Sequence, residues 1–242
     1  MIQNPIIPGF AGDPSVVRAG DDYYIATSSF EWFPGVPIYH SRDLKNWKLA
    51  DYALKTRKLL DLTGVKPSAG VWAPCLSFCE EEGLFYLLYS IVHSKNNWYF
   101  DVENYLVTSR SIHGPWSDPV YICSSGFDYS LFHDTDGRKW IVGKDRDFRP
   151  DRIDRRPIIL QEYDPEKKET DRETASDLYR GHTAPVRGRT ASVQAERMVL
   201  SDGGGRRYRI RSLCCDAPLP EYCRTVRMLR GKSDHHKLAG TV

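Results

Sequence analysis

The sequence predicts an all-β fold assembled from repeated sheets like the blades of a β-propeller, and three observations support this prediction. Short runs of β-branched and aromatic residues alternate with Gly, Asp and Pro turn residues up to about Asp164. All six Trp and all nine Phe lie before residue 149, so the large apolar side chains are concentrated in this part of the chain. A motif also recurs about every 55 to 60 residues, which is the size of a unit of several strands.

Five runs are predicted as strands, because each is rich in β-forming residues and is bounded by turn residues. In chain order they are Tyr23–Thr27, Phe85–Tyr89, Tyr105–Thr108, Lys139–Val142 and Ile158–Gln161.

The repeat joins a short leading segment to the first strong strand of each unit. The leading segments contain Asp13, Ala73 and Asp128, and the strands follow about ten residues later. The first two units continue into a further strand and an aromatic turn, at Trp47 and Trp116. A unit of this kind and period indicates propeller blades. The alternative is an ordinary β-sandwich in which the similarity is coincidental.

Composition divides the chain into two regions. Beyond residue 169 the only aromatic residues are Tyr179, Tyr208 and Tyr222, and Arg becomes frequent. We therefore predict a propeller domain over residues 1–168 and a poorly ordered, Arg-rich tail over residues 169–242.

The overall charge argues against nucleic acid or an anionic membrane as the main partner. The formal net charge is only +2 in 242 residues, because acidic and basic side chains nearly balance. A neutral substrate fits this balance. No run approaches 18 apolar residues, and the first residues lack a charged segment followed by an apolar one, so we predict a cytoplasmic protein.

The six Cys are interpreted as reduced thiols, since they do not form the paired C-x-x-C arrangement of a zinc site or redox dithiol. His235 and His236 are adjacent, but His in a polar tail is usually unliganded. We assign no metal to this pair and no cofactor to the chain.

Two carboxylates, Asp13 and Asp128, occupy equivalent positions in the first and third leading segments. A lone Asp between strands is most often a turn-capping residue. Equivalent positions in two repeats change this interpretation, because the leading segment of a blade lies nearest the channel in which a propeller usually places its site. We therefore predict a pair of catalytic carboxylates.

Aromatic residues cluster beside the same segments. Phe30, Trp32 and Phe33 follow the first strand, and Trp72 precedes Ala73. Core packing is the simpler explanation for any one ring, but rings on loops beside carboxylates are what a pyranose pocket needs.

Several long motifs resemble the β-xylosidase and α-L-arabinofuranosidase branch of glycoside hydrolase family 43. They are Gly9–Val16, Ser28–Ile38, Gly70–Pro74 and Ser124–Asp128 together with Leu131–Asp134. The resemblance covers roughly residues 3 to 165. It implies a five-bladed β-propeller, of which this chain contains about the first three blades, and inverting hydrolysis of terminal xylose or arabinose units.

The resemblance also implies a role for each matching residue. Asp13 becomes the general base that activates water, and Asp128 becomes the carboxylate that orients the general acid and raises its pKa. Phe30 and Trp72 match sugar-contacting rings. The substrate would be a xylo-oligosaccharide or an arabinosyl glycoside, and both sugars are compatible with these residues.

The chain departs from the family where the acid is expected. The family's Glu-Gly-Pro-His-like motif is absent, and residues 187–199 stand in its place. Shifting the frame by one base allows Gly188-Arg189-Thr190 to read Glu-Gly followed by the start of Pro, and the next residues then read as an aromatic strand. We therefore hypothesise a frameshift that begins between Gly181 and Gly188, so that the tail is an accidental translation. The alternative, a nucleic-acid-binding arm, lacks interleaved aromatic residues.

Three functions follow as hypotheses. The first is a glycosidase that is weakly active or inactive in this chain, because its acid Glu is missing. The second is a non-catalytic sugar-binding fragment that keeps Phe30, Trp72 and the Asp pair. The third is a structural propeller that binds no sugar.

Overall fold

The computed structural model describes residues 4–95, 100–144 and 158–170, together with the backbone of short strands at 176–177, 198–201, 207–210 and 229–230. Every regular element in these ranges is a β-strand, as the sequence predicts. Within them, no helix is long and apolar enough to span a membrane. The chain divides into two compact units, residues 1–194 and residues 195–242.

The first unit contains three consecutive antiparallel sheets, each built from strands that pair in sequence order. The first sheet has β1 (Ser15–Ala19), β2 (Asp22–Ala26), β3 (Gly35–Ser41) and β4 (Lys48–Leu54). The second has β5 (Gly70–Cys79), β6 (Leu84–Lys95), β7 (Phe100–Ser109) and β8 (Val120–Cys123). The third has β9 (Phe127–His133), β10 (Lys139–Lys144), β11 (Ile158–Asp164) and β12 (Glu169–Thr170), with β13 (Ser176–Asp177) also pairing with β11. These sheets are the three repeats found in the sequence.

The second unit contains one small antiparallel sheet. Its strands are β14 (Met198–Ser201), β15 (Arg207–Ile210) and β16 (Leu229–Arg230), paired in that order. The domain boundary at residue 168 and the poor order of the tail stay predictions, since most of residues 171–242 lie outside the described residues.

The five predicted strands are confirmed as parts of β2, β6, β7, β10 and β11, except that β2 ends one residue before Thr27. The leading segments, for which the sequence analysis predicted no secondary structure, are themselves the first strands of the sheets or run directly into them, as β1, β5 and β9. Asp and Pro in these segments suggested turns, whereas the structure places them at irregularities within extended pairing.

The central sheet is buried on both faces by its neighbours. Successive side chains of β6 point to opposite faces. Leu87, Tyr89 and Ile91 join a cluster with residues of the first sheet, whereas Tyr86 and Leu88 pack with residues of the third. This two-sided burial explains why β6 is almost continuously apolar, and it stacks the three sheets in sequence order.

A polar network also joins the second sheet to the third. Lys139, whose side chain is only 3% exposed, donates to Glu82 Oε1 at 2.6 Å, and the hydroxyl of Tyr86 donates to Glu82 Oε2. His133 contacts Ser77 Oγ at 3.1 Å through Nε2. Burial, with a smaller contribution from the charge of Lys139, lowers the pKa of His133 to about 4, so this ring is neutral at physiological pH.

Candidate active site

Each of the three sheets carries a β-bulge at the same place in or just before its first strand. In the first sheet the bulge is shown by two neighbouring contacts. Ser15 pairs with Ala26, and Ser28 N donates to Gly12 O, so two residues of the first segment lie opposite one residue of the other. In the other two it follows from register shifts within the strand pairs. The bulges place Asp13-Pro14 opposite Thr27, Ala73-Pro74 opposite Tyr89, and Asp128-Tyr129 opposite Gly143.

The first residue of each bulge adopts a left-handed backbone conformation. The φ angles are 49° at Asp13, 40° at Ala73 and 58° at Asp128. A non-glycine residue in this region costs roughly 1–2 kcal/mol. Bulges redirect side chains and are frequent beside active sites. Three equivalent strained positions, two of which carry a carboxylate, therefore point to a functional site at this edge of the sheets.

Ser28 fixes Asp13 and ties the first sheet to the second. Its hydroxyl donates to Asp13 Oδ2 at 2.7 Å and accepts from the backbone N–H of Ala73 at 2.8 Å. The side chain of Asp13 is thus held by a buried partner while the residue itself stays exposed to solvent. Ser28 was missed by the sequence analysis, although it follows β2 directly opposite the segment that contains Asp13.

Asp128 lies in a more buried environment than Asp13. Burial is the main reason that the pKa of Asp128 is raised to about 6, and the negative charge of Asp13 adds to the rise. The positive charge of Lys144, which pairs with the neighbouring Phe127 across the sheet, opposes it. The structure thus brings the two predicted carboxylates close enough to interact, from the first and third sheets.

The two predicted sugar-contacting rings lie beside each other in this region. The ring centroids of Phe30 and Trp72 are 6.1 Å apart. Phe127 lies 6.4 Å from Trp72, and Phe10 lies 5.3 Å from Phe30. Phe10 and Phe127 were not singled out in the sequence, because a Phe beside a Gly or an Asp carries no distinctive spacing.

The aromatic row runs from the interior to the surface. Phe30 and Trp72 are half-buried, whereas Phe10 and Trp32 are each 59% exposed. Lys95 Nζ lies over the ring of Trp72, 5.0 Å from its centroid. The row provides flat apolar surfaces next to the carboxylates, which is the combination that a sugar ring requires.

Phe30 is placed by its pairing with the second sheet. It exchanges two backbone hydrogen bonds with Val71, of 3.0 and 2.9 Å. Gly70, just before Val71, has a φ of +88°, and a Cβ there would lie 2.1 Å from the carbonyl oxygen of Phe30. Only a glycine permits this approach, so Gly70 is a structural requirement for the position of Phe30.

A pH-dependent stability effect is expected from Asp128. Its raised pKa means that the folded state disfavours the carboxylate, so the contribution of this group to stability falls as pH rises from about 4 to 6. Asp128→Asn should therefore stabilise the chain at pH 7.5 by roughly 1 to 3 kcal/mol and have little effect at pH 4. Urea unfolding followed by tryptophan fluorescence measures this difference, because all six Trp lie before residue 149.

Asp136→Asn is the matched control for this measurement. The side chain of Arg138 lowers the pKa of Asp136, so its removal should destabilise the chain at pH 7.5. If Asp128→Asn destabilises the chain at both pH values, the ionised carboxylate of Asp128 does not destabilise the folded state and the prediction is wrong.

The remaining sequence predictions about the site lie outside the described residues. They concern the segment in which the acid motif is missing, of which only the backbone of β14 is described, and His235 and His236. Among described residues, no group of three or more His, Cys, Asp or Glu side chains is arranged to hold a metal ion.

Together, the three stacked antiparallel sheets, the equivalent carboxylates and the adjoining rings point to a protein of the β-propeller class with a candidate saccharide site. The comparison with known families agrees, since the sequence model of glycosyl hydrolases family 43 matches residues 2–201. The chain belongs to this family, whose fold is the five-bladed propeller expected from the sequence.

Individual relatives include enzymes named for both sugars. The chain is 54% identical over 169 residues to xylosidase/arabinosidase 43B of Humicola insolens, covering 68% of this chain and 30% of the relative. It is 34% identical over 215 residues to a non-reducing end alpha-L-arabinofuranosidase of Bacteroides ovatus, covering 87% and 37%. The crystal structure of xylan beta-1,4-xylosidase from Bacillus halodurans C-125 superimposes with a TM-score of 0.71 and 46% identity, covering 87% of this chain and 38% of that one. The chain thus spans about a third of the length of these relatives.

Proposed function

We propose that this chain derives from a glycosidase that removes terminal xylosyl or α-L-arabinofuranosyl units from xylo-oligosaccharides with inversion. The observation that carries the proposal is the placement of Asp13 and Asp128 at equivalent strained bulges beside the Phe30–Trp72 pair. The names of the relatives support both sugars as substrates.

Asp13 acts as the general base in the proposed reaction. Its exposed carboxylate takes a proton from a water molecule, whose oxygen then attacks the anomeric carbon as the glycosidic bond breaks. Inversion requires the base and the acid to lie roughly 6.5 to 9.5 Å apart, on opposite faces of the sugar, so that this water fits between them. The hydrogen bond that Ser28 donates holds Oδ2 of Asp13 in one orientation and leaves Oδ1 for the water.

Asp128 acts on the acid rather than on the sugar. Its negative charge, when ionised, raises the pKa of a neighbouring carboxylic acid and so keeps that acid able to protonate the leaving oxygen. The positive charge of Lys144 favours the ionised form of Asp128, which its burial opposes.

The general acid is the residue that this chain lacks in its present reading frame. We propose that the sequence beyond about residue 181 is translated out of frame, and that the correct frame restores a Glu-Gly-Pro-His motif. We refer to the product of the restored coding sequence as the in-frame enzyme. General acid catalysis contributes roughly 10²- to 10⁴-fold, so the 242-residue chain should be less active than the in-frame enzyme by at least that factor.

Sequencing the gene from codon 165 onward and assaying both proteins tests the proposal. We expect a single-base change, hydrolysis of an aryl β-xyloside or α-L-arabinofuranoside by the in-frame enzyme, and release of the inverted anomer, observed by proton NMR. Robust hydrolysis by the purified 242-residue chain would contradict its impairment, and retention of configuration would contradict the assigned roles.

The second candidate function, sugar binding without turnover, is favoured by a different result. The ring pair and the carboxylates are present even though the acid motif is absent. An unaltered reading frame together with measurable xylo-oligosaccharide binding and no hydrolysis would select this function over the first.

A further inference from the structure

A second concave surface lies on the opposite face of the central sheet from Trp72. It is a cleft of about 610 Å³ between the connection that follows β4 and the β6–β7 pair. Tyr89 and Ile91 lie in its floor, and they point away from Ser90, which shares the face of Trp72 in the strand pairing. The cleft is therefore separate from the carboxylate site.

The floor of the cleft is aromatic and fixed in position. The hydroxyl of buried Tyr89 donates to Leu59 O at 2.7 Å, which anchors the connecting segment to the sheet. Tyr105 pairs with Tyr89 across β6 and β7, with ring centroids 5.9 Å apart. Tyr121 continues the row on β8 and is 52% exposed, so the aromatic surface extends from the cleft toward solvent.

The charges that line the cleft are paired with one another. Arg57 contacts Asp61 at 3.1 Å, and Lys58 contacts Asp118 at 2.6 Å across the rim. His93 contacts Glu103 at 3.2 Å. Because Arg57 and Lys58 each have an anionic partner within the lining, the cleft presents no excess positive charge for a phosphate or carboxylate ligand.

Glu103 provides the polar centre of the cleft. Its Oε2 contacts His93 and accepts a bond from the Tyr105 hydroxyl at 2.9 Å. Both contacts use Oε2, so among the described contacts Oε1 is directed to no protein donor and can accept from a ligand hydroxyl. Thr63 adds a further hydroxyl at the edge.

We propose that this cleft is a second saccharide-binding site, which takes a neutral oligosaccharide without cleaving it. Its volume lies within the range of roughly 300 to 1,000 Å³ that is typical of small-molecule sites. Buried Tyr89 supports the partly exposed ring of Tyr105, whose face can receive the C–H surface of a sugar, and the paired ionic groups can exchange hydrogen bonds with its hydroxyls. The neutral character of the ligand rests on the cleft alone, whereas the choice of a xylo-oligosaccharide rests on the proposed function.

Such a site would hold a substrate chain at the outer part of the sheets, away from the carboxylates. Binding there raises the local concentration of chain ends near the candidate active site, since both sites then belong to one substrate-bound molecule. The sugar would bind weakly, because the cleft is open to solvent and leaves much of the ligand in contact with water.

The test is a titration of the isotopically labelled 242-residue chain with xylotriose, observed by amide NMR. We expect concentration-dependent shifts at residues 89–93 and 103–105. Glu103→Gln and Tyr105→Ala should each weaken this binding at least fivefold. Leu49→Ala is the control, because this 48% exposed side chain lies outside the lining and away from the aromatic row, and its removal should leave the cleft shifts unchanged.

Phe30→Ala separates the two sites. Shifts in the cleft that persist in this variant show binding independent of the candidate active site, whereas shifts confined to the Phe30 and Trp72 region, and lost in this variant, would overturn the proposal. Absence of cleft shifts at millimolar xylotriose would also overturn it, as would unchanged binding by Glu103→Gln with an otherwise native spectrum. Hydrolysis by the in-frame enzyme is measured separately, so the failure of the cleft does not count against the glycosidase.

Discussion

Replacing Asp13 by Asn in the in-frame enzyme is expected to lower kcat for aryl-glycoside hydrolysis roughly 10²- to 10⁴-fold. The amide oxygen of Asn can still accept the bond that Ser28 donates to Asp13 Oδ2, so the local geometry is preserved. What disappears is the basic oxygen that takes the proton from water. Steady-state kinetics on an aryl β-xyloside measure the effect, and KM should change little, because the ring contacts of Phe30 and Trp72 are retained.

Asp21→Asn is the control for this substitution. Asp21 is also an aspartate of the first sheet region, but its side chain is 96% exposed, and its nearest ionic partner is Arg18, at 4.0 Å. We expect its kcat to match that of the unsubstituted enzyme. If Asp13→Asn retains more than a tenth of the activity while releasing the same anomer, another residue is the base.

The repeat explains why much of the fold could be predicted from the sequence. The apolar runs of β2, β6 and β10 begin about ten residues after Asp13, Ala73 and Asp128, so three similar units could be recognised without knowing how they pair. The first strands were missed because a bulge breaks the alternation of side chains. Asp and Pro at a bulge are indistinguishable in sequence from the same residues in a turn.

The site could be predicted only in part, for a related reason. Asp13 and Asp128 were identifiable because they occupy equivalent positions in two repeats. Ser28, just after β2, and Lys144, on β10, act on them, and this relation depends on strand register and on contacts between sheets. Neither residue has a spacing that reveals it, since a Ser after a strand and a Lys at a strand end are ordinary in a β-protein.

The second repeat shows how strain and function are divided among the blades. Ala73 has the same left-handed conformation as the two aspartates but has no functional group in its side chain. Its backbone N–H instead donates to Ser28, which in turn holds Asp13. The strained backbone is thus kept in all three repeats, while the carboxylate is needed in only two. The bulge at Ala73 therefore contributes a backbone N–H to the site, whereas the bulges at Asp13 and Asp128 contribute side chains.

The substitution Gly70→Ala is expected to cause a large loss of stability close to the site. An added Cβ would lie 2.1 Å from Phe30 O and 2.8 Å from Glu31 N, both backbone atoms that cannot rotate away. The sheets must separate locally, which breaks the two hydrogen bonds between Phe30 and Val71. With the backbone strain of a φ near +88° added, we expect a loss of about 3 kcal/mol or more in the free energy of unfolding.

Gly64→Ala isolates the contribution of the clash. Gly64 also has a positive φ, of 76°, but no atom lies within 4 Å of the position of its Cβ. This variant should lose only about 1 kcal/mol, from backbone strain alone. Urea unfolding followed by tryptophan fluorescence compares the two, because Trp72 lies directly beside the Phe30 ring and reports its displacement. Equal losses in the two variants would mean that the first and second sheets do not approach as closely at Phe30 as the structure shows. A selective loss in Gly70→Ala would show instead that this glycine holds the aromatic wall of the candidate site in place.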